Sequence, residues 1–227
     1  MKRRVAILIS GRGSNMAALI RAAAAKDFPA EIVVVISNQP DAGGIEKARA
    51  SRVPTVSIES KPFGRDRAAF EAVLQAALDQ HKVDLICLGG FMRLFTAEFV
   101  QRWYGRMLNI HPSLLPAFPG LDPHGQALRA GVKISGATVH FVIPETDAGP
   151  ILMQGAVAVC DDDTADTLAA RILAIEHRIY PDALRLVASG RIRLENDVCR
   201  TAGSAVSGDV LVSPSSSMSA SGSLGGE

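Results

Sequence analysis

A chain of 227 residues can bury one sizeable hydrophobic core, and 48% hydrophobic with 21% charged side chains is ordinary for a soluble globular protein. Its 24 basic and 23 acidic residues leave a formal net charge of +1, which excludes a broad electrostatic footprint for nucleic acid or an anionic membrane but not a local pocket for one phosphate. Cys87, Cys160 and Cys199 are far apart and odd in number, a usage that fits reduced thiols in a cytoplasmic protein better than a disulfide framework or a metal cluster.

The basic start, Met1 to Arg4, leads into the apolar run Val5 to Ile9, too short for a signal-peptide core, and no stretch approaches the ~20 apolar residues that span a bilayer. That run has the length and composition of a buried strand. Met16 to Ala25 is a strong helix former with Ser14 or Asn15 available as N-cap. Ile32 to Ile36 is the next strand, Ala42 to Ser51 the next helix and Thr55 to Ile58 a short strand. Asp66 to Gln80 is a helix with Phe70, Val73, Leu74, Ala77 and Leu78 along one face, and Asp84 to Leu88 a further apolar strand. Such alternation requires crossover connections, hence a doubly wound, mostly parallel α/β sheet covered on both faces. Ligands of such sheets gather at the carboxyl ends of the strands.

The second half changes character. Met107 to Ile110 reads as a short strand entering the Pro-rich loop His111 to Pro123. Ser135 to Val142 alternates like a half-exposed strand, and Ile151 to Val159 can pair with it antiparallel across the loop Pro144 to Pro150. Asp166 to Val187 is a long helix with a break expected at Pro181, and Arg191 to Leu194 a last edge strand. From about Thr201 onward the sequence turns rich in Ser, Gly and Ala, with too little apolar surface to offset ordering, and 196–227 is expected to be a flexible tail.

Ser10-Gly11-Arg12-Gly13-Ser14-Asn15 lies between the first strand and the first helix. Glycines there allow close backbone approach, and the free amides of a helix start attract an anion. A plain tight turn would use the same residues. A dinucleotide fingerprint is disfavoured, because Met16 stands where a third small residue belongs and Ser37-Asn38, not an acid, follows the second strand. Asn109 and His111 point to one side of a strand by its two-residue period, an amide donor beside an imidazole, suited to an oxyanion and a proton relay. A structural role for both is equally compatible with the residues alone. Asp147, brought against His111, would orient the ring and favour its charged form, or would simply serve the turn before Gly149-Pro150. His140 alternates with Val139 and Phe141 on a strand and reads as a structural or rim residue. His81, His124 and His177 lack partners at ligand spacing, so no metal site is expected.

Taken together, these stretches resemble phosphoribosylglycinamide formyltransferase, the folate-dependent family of purine biosynthesis. The resemblance runs from about Arg4 to Leu194 through SGRGSN, ISN with DAGG, LGGFMR, NIHPSLLPAFPG, ATVHF, ETDAGP and EHRIYP. It implies a Rossmann-like formyltransferase domain over 1–195, with a nucleotide-phosphate half to about residue 100 and a catalytic and folate half beyond it. By the same resemblance Asn109, His111 and Asp147 are catalytic. Gly13, Ser14 and Asn15 hold the ribose phosphate, and Glu176 meets the amino end of the substrate. Arg67, Met92, Arg93, Leu94 and Phe95, with Val142, Ile143, Pro144, Glu145, Thr146 and Asp147, line the folate site. The one-carbon donor is then 10-formyltetrahydrofolate as co-substrate, without a metal. Partners are small molecules, with neither nucleic acid nor membrane, and a homodimer stays open. Where many relatives carry His-Thr-His, this chain has Asp122-Pro123-His124. The alternatives are a formyltetrahydrofolate deformylase-like hydrolase and a nucleotide-binding module without catalysis.

Overall fold

The computed structural model of the chain describes residues 1–201. Its main sheet has seven strands in the order β3-β2-β1-β4-β5-β6-β7. These are β1 (Arg3–Ile9), β2 (Ala30–Ser37), β3 (Thr55–Ser57), β4 (Leu85–Leu88), β5 (Met107–His111), β6 (Ile134–Phe141) and β7 (Ile151–Ala158). The pairings from β3 to β5 are parallel, while β5–β6 and β6–β7 are antiparallel. The doubly wound, mostly parallel sheet with an antiparallel C-terminal portion is therefore the observed fold.

The two-residue strand period divides the core. Val5, Ile7 and Ile9 of β1 face one apolar layer, and Ala6 and Leu8 face the other. The first layer is closed by α1 (Ser14–Ala23), α2 (Gly43–Ala50) and α6 (Ala165–Ala188), the second by α3 (Arg67–Gln80) and α4 (Ala97–Arg102). After β1 the chain builds outward to β3, then crosses back to β4 on the opposite side of β1. The loops leaving β1 and β4 thus flank the topological switch point, where open α/β sheets bind ligands.

Several expectations need correction. The N-cap of α1 is Gly13, in a left-handed conformation with φ 65°, and neither Ser14 nor Asn15 caps it. Along α3, Val73 is 45% exposed and Glu71 is buried instead. Glu71 accepts hydrogen bonds from the Thr96 amide and hydroxyl at the start of α4, so a buried acid caps a neighbouring helix. Both α4 and α5 (Pro123–Ala130) were unforeseen, although each has its signal. Thr96 caps the first, and Asp122 followed by Pro123 at the first helical position opens the second.

Helix α6 does not break at Pro181. A proline inside a helix costs ~3 kcal/mol, and here packing offsets it. Tyr180, Pro181, Ala183 and Leu184 are all buried, and the Tyr180 hydroxyl sits 3.0 Å from the Leu88 carbonyl and 3.1 Å from that of Leu108.

The strand expected at 191–194 is not an edge of the main sheet. It is β8 (Ile192–Glu195), paired in a separate two-stranded hairpin with β9 (Val198–Thr201) across Asn196 and Asp197, both at positive φ. Cys199 packs on the core and Tyr104 bonds Asp197. Ordered chain thus runs past the boundary expected at residue 196, and the expected tail from 202 on lies outside the described residues.

Candidate active site

The loop after β1 is drawn to the loop after β4 by two bonds. The Ser10 amide donates to the Gly90 carbonyl at 3.2 Å, and the Ser10 hydroxyl accepts from the Met92 amide at 2.8 Å. The same hydroxyl donates to Asn38 Oδ1 at 2.6 Å, joining the end of β2 to the cluster. Gly13 needs its positive φ for this turn, and a Cβ there would lie 3.0 Å from both the Gly44 Cα and the Met16 Cε. Ser14 and Asn15 begin α1, so their amides lack intrahelical partners. The Asn15 side chain, however, does not turn toward the loop. It donates to Glu176 on α6 at 2.8 Å, both groups are buried, and Asn15 Oδ1 has no partner. Burial pushes the Glu176 carboxyl above its ordinary range, and the Asn15 bond only partly opposes this.

At the end of β5, Asn109 and His111 do share a side of the strand. Opposite Asn109 in the antiparallel register lies His140 on β6, with Asn109 Nδ2 3.2 Å from His140 Nε2. His140 Nδ1 donates to the Phe141 carbonyl at 2.9 Å, which leaves Nε2 as the acceptor for the amide. Burial holds the His140 imidazole below its usual range, against the pull of the Phe141 carbonyl and Asp147, so the ring is neutral. The reading of His140 as a structural or rim residue did not place it beside Asn109. The signal was available, since an antiparallel pairing of the two strands sets it beside Asn109.

Asp147 reaches this centre from the β6–β7 loop. Its Oδ2 lies 3.4 Å from His111 Nδ1 and accepts from the Gly120 amide at 2.9 Å. Its Oδ1 is 3.9 Å from His140 Nε2, beyond hydrogen-bond reach. The backbone of Asp147 is at φ 55°, a region Asp tolerates better than most residues. Gly149 is required as the loop returns, because a Cβ there would meet the Phe141 carbonyl at 1.8 Å. His111 Nε2 faces the Phe118 carbonyl at 3.0 Å, so both ring nitrogens point at acceptors. The loop between is anchored on Thr138 of β6. Its hydroxyl donates to the Ser113 carbonyl at 2.7 Å and accepts from the Leu115 amide and Gln154 Nε2 at 3.0 Å each.

The residues expected around a folate are divided between places. Arg67, Met92, Arg93 and Leu94 line one open cleft of about 490 Å³ with Gly64 and Arg65. Ile143, Pro144 and Glu145 line another of about 430 Å³, with Gln101, Tyr104 and Asp197. Thr146 is exposed and Val142 is half-buried against the second core layer. Phe95 stacks between Phe91, at 5.3 Å, and Phe99, at 4.9 Å, and thus belongs to an aromatic column beneath the loop. Arg93 lies over the Phe70 ring at 4.7 Å and donates to the Gly64 carbonyl. Among the described residues no group of three or more His, Cys, Asp or Glu could hold a metal ion, and no helix is long and apolar enough to cross a membrane.

Asn109, His140, His111 and Asp147 thus lie together at the carboxyl end of β5, the strand beside β4 in the sheet. The family model for formyl transferase matches residues 3–184. Phosphoribosylglycinamide formyltransferase of Bacillus subtilis is 40% identical over 183 residues, covering 81% of this chain and 93% of its own. The chain belongs to the phosphoribosylglycinamide formyltransferases of the formyl transferase family. It is also 49% identical over 193 residues to the trifunctional purine biosynthetic protein adenosine-3 of Bos taurus, which covers 85% of the chain, while the chain spans about a fifth (19%) of that relative's length. Among solved structures, glycinamide ribonucleotide transformylase 1 of Symbiobacterium toebii superposes with a TM-score of 0.85 at 46% identity, over 88% of this chain and 94% of the other.

Proposed function

We propose that this chain transfers the formyl group of 10-formyltetrahydrofolate to the amine of 5'-phosphoribosylglycinamide, in purine biosynthesis. The observation that carries the reading is the convergence of Asn109, His111 and Asp147 at the end of β5, in a chain of this family. In the reaction the amine nitrogen attacks the formyl carbon, and the carbonyl electrons move onto oxygen. The Asn109 amide, held by His140, and the Nε2 hydrogen of His111 stabilise that oxyanion, the substrate oxygen replacing the Phe118 carbonyl as acceptor. Asp147 fixes the ring from its other nitrogen. Collapse breaks the bond from carbon to the folate nitrogen, and the proton lost by the amine ends on that nitrogen.

The phosphate is assigned to the amides of Gly13, Ser14 and Asn15, where a helix start concentrates donors. Glu176, oriented by Asn15, takes the amino end of the substrate. The cleft at Arg67 and Arg93 suits the anionic part of the folate. The test is an absorbance assay for loss of 10-formyltetrahydrofolate with and without glycinamide ribonucleotide. Consumption that needs the acceptor is expected, and consumption without it would instead establish a deformylase. His111→Ala should lower kcat by about 10²- to 10⁴-fold with the fold intact. A near-normal rate would remove His111 from the mechanism.

A further inference from the structure

Helix α2 touches the β1–α1 loop at three successive residues. The Gly44 amide donates to the Gly11 carbonyl at 3.0 Å, Lys47 Nζ donates to the Arg12 carbonyl at 2.8 Å, and the Gly44 Cα lies directly against Gly13. In a trans peptide the carbonyl and the following N–H point in opposite directions. Turning the Gly11 and Arg12 carbonyls toward α2 therefore turns the amides of Arg12 and Gly13 away from it. The unpaired amides of the α1 start follow directly in the chain.

The fit has no slack. A Cβ on Gly44 would lie 2.4 Å from Ile9 Cδ1, 3.0 Å from the Gly11 carbonyl and 3.3 Å from the Gly13 Cα, whereas one on neighbouring Gly43 would meet nothing within 4 Å. Gly44 is buried and Gly43 exposed on the same helix. Glycine is a poorer helix former than alanine, so close approach, and not helix formation, accounts for Gly44.

We infer that Gly44 is a positioning residue for the nucleotide phosphate, its backbone contact holding the loop so that the amides from Gly13 onward face the anion. The inference rests on the phosphate reading of that loop given above. The test compares Gly44→Ala, Gly43→Ala, and Gly44→Ala combined with Ile9→Val, each measured for melting temperature and for kcat and KM with both substrates. Ile9→Val removes the worst clash, which is with core packing, and leaves the contacts with Gly11 and Gly13.

Gly44→Ala is expected to raise KM for the nucleotide at least tenfold, with KM for the folate and kcat within about twofold of the parent. Adding Ile9→Val should restore the melting temperature but not the nucleotide KM, and Gly43→Ala should leave all values unchanged. If Ile9→Val restores the nucleotide KM as well, or if both KM values rise together, Gly44 is a packing residue and the inference fails. Should Gly44→Ala not fold even with Ile9→Val, Lys47→Met decides. It severs the second tie without steric conflict, and an unchanged nucleotide KM would overturn the buttress. Gly13→Val separates this from the underlying reading. If it leaves the nucleotide KM unchanged, the phosphate assignment is wrong whatever Gly44 does.

Discussion

Glu176 and Asn15 are buried together, with one hydrogen bond between them and the Asn15 carbonyl oxygen unpaired. Replacing Glu176 with glutamine keeps the shape, removes a buried carboxylate and supplies an N–H. The two amides can then bond reciprocally, Asn15 Nδ2 to the new carbonyl and the new amide to Asn15 Oδ1. Satisfying one buried acceptor is worth about 1–2 kcal/mol, which for a chain of this size is about 2–8 °C in melting temperature. The gain depends on pH. Burial raises the Glu176 carboxyl above 4.5 in the folded state, so its folded value exceeds its unfolded one. Its favourable contribution is complete below the unfolded value and is lost as pH rises through the folded one. The stabilisation of Glu176→Gln should accordingly be smallest near pH 4 and grow toward neutrality. Activity should move the other way, because a charge-assisted bond to the substrate amine, about 1.5–3 kcal/mol, is lost. That corresponds to about a ten- to hundredfold fall in kcat/KM. Scanning fluorimetry from acid to neutral pH, beside steady-state kinetics, tests both halves. A variant that is less stable than the parent at neutral pH, or equally active, would refute the reasoning.

Thr138→Val should destabilise by about 2–4 kcal/mol in urea unfolding, since the Ser113 carbonyl and the Leu115 amide both lose a buried partner. It should also lower kcat, because those bonds hold the loop that begins at His111. Ending the chain after Asn196 removes β9, the packing of Cys199 and the bond from Tyr104 to Asp197, and a loss of about 1–2 kcal/mol is expected in the same assay. A chain ending after Thr201 keeps all three and serves as the reference.

The sequence by itself determined the strands of the main sheet and its mostly parallel pairing, and it singled out Asn109, His111 and Asp147 as candidates. A continuous apolar run as short as Val5 to Ile9, β-branched and followed by Ser10-Gly11, reads as a strand buried on both faces, and the period of two places Asn109 and His111 on one side of theirs. Local capping chemistry was legible too, though unread, at Thr96 and at Asp122-Pro123. What local pattern could not decide depended on groups distant in the chain. Pro181 reads as a helix break because a proline removes a backbone bond, and it is the burial of Tyr180 and Leu184 on the sheet that keeps α6 whole. Asn15 reads as a loop donor until α6 brings Glu176 against it, 161 residues away in sequence. His140 became a partner of Asn109 through the register of β5 on β6, and Gly44 a neighbour of Gly13 through the packing of α2 on the first loop. Such roles arise from non-local packing and the low dielectric it creates, which no window of residues contains. Only the tertiary structure could assign them.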